Sequence, residues 1–274
     1  MDHNHQRKIA VIGDFCGFGR CSLAVALPLI SALKFQCCPV PTSVFSNHTG
    51  FPTFHKTDLT AQMPAFLAEW EKLSLSFEGV LTGYLGSAQQ VAIVHDFLVR
   101  FPKKDGVVVV DPVMGDAGAL YPSMPKRLVE EMKRLLALAD CITPNLTEAC
   151  LLTATPYRED MTDAQIFDLA RHLSTFGPKQ VVISGIERGA DLVNFILDKN
   201  GTEHTVSEAK AGPCRSGTGD VFSAIITADL CDGKTLTDAC AHAASFIAKA
   251  LRRTVELNLP ATDGIAFEEF LKEL

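Results

Sequence analysis

Clustered positive charge is missing from this 274-residue chain, whose formal net charge is −7. That excludes nucleic acid or an anionic membrane surface as the main partner, because both demand grouped Lys and Arg. Long hydrophobic runs are missing too. The most apolar stretch near the start, Leu23–Leu33, is too short to span a bilayer and contains Pro28. The opening MDHNHQ is polar and unlike a signal peptide. These absences predict a soluble, cytoplasmic protein. Cysteine is present nine times, an odd number, but no C-x-x-C occurs and Cys37 and Cys38 are adjacent. Reduced thiols follow, rather than disulfides or a zinc site.

Several enzyme signatures are absent as well. GFGRCS at Gly17–Ser22 resembles a dinucleotide fingerprint, but Ser22 replaces the third glycine and no acidic residue stands about 20 positions on to hold a ribose. The GKT at Gly233–Thr235 lacks the earlier glycine of a phosphate-binding loop, since Ala228 occupies that place. No G-x-S-x-G occurs, which weakens a serine hydrolase.

What the sequence does contain is alternation. Short β-branched runs mark strands at Lys8–Ile12, Val40–Phe45, Gly79–Leu81, Val107–Val110, Cys141–Ile142, Val181–Ser184, Leu192–Leu197 and Glu203–Val206. Helical patterns fall between them, at Cys21–Leu33, Met63–Leu73, Ala88–Arg100, Met124–Leu138, Asp163–Phe176, Asp220–Cys231, Leu236–Leu251 and Ile265–Leu274. VVVV before Asp111 is apolar on both faces, as a buried parallel strand requires. The order predicts an α/β fold, a mostly parallel central sheet with helices on both faces. The last two strands, joined through DKNG, predict an antiparallel edge hairpin. One domain over 1–274 is expected, with 1–7 as a disordered tail.

In such sheets ligands collect beyond the carboxyl ends of the strands. Polar or glycine-rich segments follow the predicted strands: Asp14, SNHTG, GYLG, DPVMGD, TPN and SG. Gly217-Thr218-Gly219-Asp220 opens a helix, where successive N–H groups and the positive helix end suit an anion. Asp220 beside that hole is placed to take a proton from an attacking alcohol; it could equally be a helix cap. DPVMGDAGALY supplies Asp111 and Asp116, and TPNLTEA supplies Asn145 and Glu148 on one face of a starting helix. These oxygen groups suit Mg²⁺, directly or through water, although Asn145 and Glu148 also match a capping box. An anion hole, a base and two magnesium-compatible segments together describe phosphoryl transfer.

The ordered segments DFCGFGRCSLAVALPLISAL, SVFSNHTGFPTF, GYLGS, DPVMGDAGALY, TPNLTEA and RSGTGD resemble the ribokinase-like superfamily, and in detail its vitamin B6 (pyridoxal/pyridoxamine) kinases. The likeness runs from Asp14 to Asp220 and implies a ribokinase-like three-layer sandwich. It implies ATP- and Mg²⁺-dependent phosphorylation of the 5′-hydroxymethyl group of pyridoxal, pyridoxine or pyridoxamine, with K⁺ as a further candidate cofactor and a homodimer as the assembly. By the same resemblance Asp220 is the catalytic base, and Gly217, Thr218 and Gly219 form the anion hole. Asp111, Asp116, Tyr121, Asn145, Ser184, Thr218 and Gly219 lie on the nucleotide side, with Asp116 and Glu148 toward the metal. Asp14, Phe45, Thr49 and Tyr84 match the vitamin pocket. The chain departs from the pattern at Asp14, where many pyridoxal kinases carry Ser, and around Ile183-Ser184, where a Thr is common. The alternatives are a hydroxymethylpyrimidine (phosphate) kinase and a catalytically silent vitamin-binding protein.

Overall fold

The computed structural model describes residues 2–121 and 124–274. Its parallel strands are β1 (Lys8–Phe18), β2 (Gln36–Asn47), β4 (Phe77–Thr82), β5 (Pro102–Val110), β8 (Cys141–Ile142) and β9 (Gln180–Arg188). Antiparallel strands close both edges: β3 (Lys56–Asp58) beside β2, and β10 (Asp191–Leu197) with β11 (Glu203–Ala209) beside β9. The nine-stranded sheet runs β11-β10-β9-β8-β5-β4-β1-β2-β3. A separate hairpin, β6 (Gly115–Asp116) with β7 (Ala119–Leu120), stands above it.

Helices α1 (Leu23–Ala32), α7 (Thr218–Cys231) and α8 (Leu236–Glu256) cover one face. On the other lie α2 (Met63–Lys72), α3 (Ala88–Arg100), α4 (Arg127–Leu136), α5 (Leu146–Thr153) and α6 (Asp163–Ser174). The result is the ribokinase-like three-layer sandwich the sequence led us to expect. Strand alternation builds both cores at once. In β5, Val108 and Val110 point into the α3–α6 layer, while Val109 packs under α7. In β1, Ala10 and Ile12 face one layer and Ile9 and Val11 the other.

The structure corrects the sequence reading at several points. Strand β1 continues past Ile12 to Phe18, and β2 past Phe45 to Asn47, because the two stay paired beyond a register shift between Gly13 and Phe15. Asp14 therefore lies inside a strand. Within the expected helix Ile265–Leu274 only Glu268–Glu273 is helical, as a 3₁₀ segment, and a further 3₁₀ turn, Ala261–Asp263, precedes it. Burial explains this: Ile265 and Phe267, two apart, both enter the α7–α8 core, while the Ala266 amide donates to Thr254 Oγ1 at 2.8 Å. An α-helix would point those side chains in different directions. The segment expected to be a disordered tail is tied to the body, with Asn4 bonding Ser74 O and the Ser76 amide at 3.0 Å each.

Candidate active site

Helix α7 explains the site's position. Val221–Asp229 are all buried, so the helix is enclosed nearly all round and its register in the core is fixed. Its amino end is thereby set at the carboxyl ends of β1, β4 and β5. Gly217 is the cap residue, with φ +84°. A Cβ there would collide with the Arg20 carbonyl oxygen, so both dihedral and space demand glycine. Gly219 differs. A Cβ on it would meet nothing within 4 Å, which leaves the helix end open to the cleft. The Thr218 hydroxyl turns back to donate to Arg215 O at 3.1 Å, so Thr218 offers the cleft its backbone N–H.

Asp220 is not the helix cap. It stands in the first turn of α7, where the Ser22 amide donates to its carboxylate, and burial with the nearby Asp14 charge pushes its pKa up to about 7. Ser22 caps α1 at φ +52°, an uncommon backbone region for a non-glycine residue. The starts of α1 and α7 thus meet at one carboxylate.

On one side of Asp220 lies an aromatic end. Phe45 is 3% exposed and its ring centroid is 6.0 Å from that of Tyr84, at 78°. Rings this nearly perpendicular let a flat heterocycle stack on one and meet the edge of the other, rather than stack on both. Asp14 Oδ2 accepts from Cys16 Sγ at 3.3 Å. Burial raises the Asp14 carboxyl, and hydrogen bonds from Ser22 and Cys16 oppose that rise. Thr49 is exposed on the loop after β2. That loop is pinned by His48, whose Nε2 donates to Thr262 O at 2.7 Å in the tautomer where Nδ1 accepts from the Gly50 amide at 3.1 Å.

On the other side lies an acidic end. Asp111 is buried beneath the Ser223 hydroxyl, and burial together with the Glu148 and Asp220 charges raises its pKa well above the usual range. Glu148 is pushed up to about 7, chiefly by burial. Both its oxygens accept backbone amides, Oε1 from Met114 at 2.9 Å and Oε2 from Asn145 at 3.0 Å. Asn145 Oδ1 accepts the Glu148 amide in return, completing a capping box at the start of α5. Asn145 Nδ2 also reaches Gly115 O at 2.9 Å and anchors the β6–β7 hairpin. That hairpin turns through Ala117 (φ +49°) and Gly118 (φ +79°), the two positive dihedrals of a type I′ turn, and carries exposed Asp116. Burial raises the Tyr121 phenol, with Glu148 adding to the effect. Ser184, midway along β9, forms a parallel bridge with Asn145.

All the residues singled out in the sequence line one cavity of about 610 Å³: Asp14, Phe45, Thr49, Tyr84, Asp111, Asp116, Tyr121, Asn145, Glu148, Ser184 and Gly217–Asp220. Sequence reasoning missed Ser22, Thr143, Cys214 and Arg215, which line it too. The Thr143 hydroxyl is buried without a hydrogen-bond partner among the described residues. Such an orphan, beside an open helix end, suits a polar ligand. The carboxylates of Asp111, Glu148 and Asp220 take part in none of the ion pairs of the described residues, while no three acidic, His or Cys side chains among those residues gather closely enough to hold a metal ion by themselves, so a cation here would need phosphate or water ligands as well.

The family model described as phosphomethylpyrimidine kinase matches residues 27–263. A hydroxymethylpyrimidine/phosphomethylpyrimidine kinase of Haemophilus influenzae is 34% identical over 181 residues, 64% of this chain and 65% of that protein. The match thus spans less than two thirds of that relative. A pyridoxine/pyridoxal/pyridoxamine kinase of Bordetella avium is 29% identical, with 90% and 86% covered. This chain superposes with TM-score 0.93 at 39% identity on a candidate phosphomethylpyrimidine kinase from Bacteroides thetaiotaomicron in a crystal form with pyridoxal, covering 98% of this chain and 95% of the other.

Proposed function

The chain belongs to the phosphomethylpyrimidine kinase family, and within that family we propose that it is a vitamin B6 kinase, phosphorylating the 5′-hydroxymethyl group of pyridoxal, pyridoxamine or pyridoxine with ATP. One observation carries this reading. Asp220, its pKa raised to about 7, stands at the open amino end of α7 between an aromatic pocket and an acidic one. A base poised near neutrality matches an alcohol that must lose its proton as it attacks.

In this reading the ring lies against Phe45 or Tyr84, with Asp14 and Thr49 orienting its polar groups. Its hydroxymethyl oxygen faces Asp220. That oxygen bonds the γ-phosphorus, the bond from phosphorus to ADP breaks, and Asp220 accepts the hydroxyl proton. The backbone N–H groups of Gly217, Thr218 and Gly219 stabilise charge on the transferring phosphoryl oxygens. Asn145, Ser184, Tyr121 and Thr143 border the nucleotide. Asp116 and Glu148 would hold Mg²⁺, Glu148 through water because its oxygens already serve backbone amides, and the ion would neutralise phosphate charge.

The second reading is a hydroxymethylpyrimidine kinase, favoured by the family description and the Haemophilus relative. The pyridoxal found with the Bacteroides protein supports the vitamin B6 reading. A silent binding protein would need no base beside an anion hole. ADP release measured with pyridoxal, pyridoxamine and hydroxymethylpyrimidine side by side tests all three. Release with the pyrimidine alone would overturn the proposal.

A further inference from the structure

Lys56 was not among the residues the sequence pointed to, yet it stands at the aromatic end of the cleft. Short strand β3 pairs it directly with Phe45. Its ammonium lies 3.2 Å from Tyr84 Oη, 5.5 Å from the Phe45 ring centroid and 5.4 Å from the Tyr84 ring. The side chain is 28% exposed, and its ion-pair partner among the described residues is Asp58 at 3.8 Å. A Cβ on Gly86 would stand 3.1 Å from the ammonium and 3.3 Å from the Tyr84 hydroxyl, so the absence of a side chain there makes room for their contact.

The contact has a direction. An ammonium has donors and no acceptor, so the phenolic oxygen must accept from Lys56 and turn its own hydrogen elsewhere. Among the described residues Tyr84 Oη has no other hydrogen-bond partner, while Tyr84 lines the cleft. The hydroxyl is thereby committed to donating toward the cavity, with a positive charge behind it. Asp14 lies at the same end, close enough for the Lys56 charge to act on it. A ring that carries an anionic oxygen together with a protonated nitrogen or amine is complementary to this pair. A 3-hydroxypyridine, whose ring hydroxyl ionises while its nitrogen holds a proton, is such a ring. An aminopyrimidine has no acidic hydroxyl to offer.

We propose that Lys56, acting through Tyr84, is a positioning residue that selects 3-hydroxypyridines over aminopyrimidines by recognising the ionised ring hydroxyl. The proposal rests on the kinase reading above for its substrate, but it can be read from binding alone.

The experiment measures Kd by equilibrium dialysis for pyridoxine, 3-deoxypyridoxine and hydroxymethylpyrimidine, on the wild-type chain and on Lys56→Met, Lys56→Arg and Tyr84→Phe. A charge-assisted hydrogen bond lost from one ligand only predicts about tenfold weaker pyridoxine binding in Lys56→Met, with the other two ligands unchanged. Lys56→Arg should restore most of the loss. Adding Lys56→Met to Tyr84→Phe should cost nothing further. In turnover, the Lys56→Met effect should appear in KM rather than kcat. Equal weakening of pyridoxine and its 3-deoxy analogue, or no weakening, would overturn the proposal. A wild-type chain that binds pyridoxine with this preference but releases no ADP would instead sink the kinase reading alone.

Discussion

Asn145 and Glu148 cap each other: Asn145 Oδ1 accepts the Glu148 amide at 2.9 Å, and Glu148 Oε2 accepts the Asn145 amide at 3.0 Å. The pair is both a helix start and one wall of the acidic pocket, so its two duties can be separated by substitution. Glu148→Gln removes the charge and leaves one acceptor oxygen for two backbone amides. It should shift the Mg²⁺ midpoint of turnover upward, and at about pH 4, where the wild-type carboxyl is largely neutral folded or unfolded, it should melt somewhat earlier than wild type. Asn145→Ala loses the cap and the tie to Gly115, and should cost about 1 kcal/mol in denaturant unfolding. An unchanged Mg²⁺ midpoint in Glu148→Gln would reduce the residue to a structural cap.

Asp220→Asn should fold normally and lose roughly 10²–10⁴-fold in turnover, the range for removing a general base. In the wild type, kcat/KM should rise with pH through about 7, because the carboxylate must be ionised to accept a proton. Near-normal turnover of the purified variant would remove Asp220 from the chemistry.

The same raised carboxyls affect stability with the opposite sign. Asp220 and Glu148 have folded pKa values of about 7, above those of an unfolded chain. The unfolded state therefore binds fewer protons between roughly pH 4 and 7. Their stabilisation is complete below the unfolded values and is lost as pH rises through about 7. Ligand-free protein should melt at lower temperature at pH 8 than at pH 5.5, and Asp220→Asn should flatten that slope. A slope unaffected by either Asp220→Asn or Glu148→Gln would contradict the assignment.

Gly217 and Gly219 make contrasting predictions although they flank one threonine. Gly217→Ala must place a Cβ at φ +84° against the Arg20 carbonyl, and should destabilise by at least about 1–2 kcal/mol. Gly219→Ala has free space and should leave unfolding within about 0.5 kcal/mol. Its methyl group enters the open mouth of the anion hole, so nucleotide affinity should fall. Calorimetry and nucleotide titration of both variants check this; equal melting of the two would contradict it.

Asp14→Ser exchanges the carboxylate for the hydroxyl that the resemblance to pyridoxal kinases leads one to expect at this position. A carboxylate contact is felt more by a cationic amine than by an aldehyde, so kcat/KM should fall about tenfold more for pyridoxamine than for pyridoxal. Equal losses would leave Asp14 as a residue that holds Cys16 and Ser22 in place.

The homodimer implied by the resemblance draws no support from the most apolar helix, because Leu23, Val25, Ala26, Leu29 and Ile30 are buried within the α1–α7–α8 layer. Their apolar character is accounted for without a partner. Sedimentation at several concentrations tests the assembly, and a constant monomer mass would end the dimer proposal.

Local chemistry was enough to determine much of this protein. VVVV ahead of Asp111 read as a strand buried on both faces, and the Leu236 pattern marked a helix start that holds to the residue. The glycines of GTGD and the spacing of Asn145 and Glu148 were equally legible, because turns and caps depend on near neighbours in the chain. Long-range packing decided the rest. Strands β1 and β2 outran their predicted ends because each supplies hydrogen bonds to the other. The last segment gave up α-helix for 3₁₀ turns because two core positions called for Ile265 and Phe267. Lys56 had no sequence signal, since an isolated lysine reads as solvent-exposed until β3 pairs it with Phe45 and Gly86 lets it reach Tyr84. The raised pKa of Asp220 likewise comes from burial by segments distant in the chain, where desolvation outweighs the hydrogen bond that stabilises its charge.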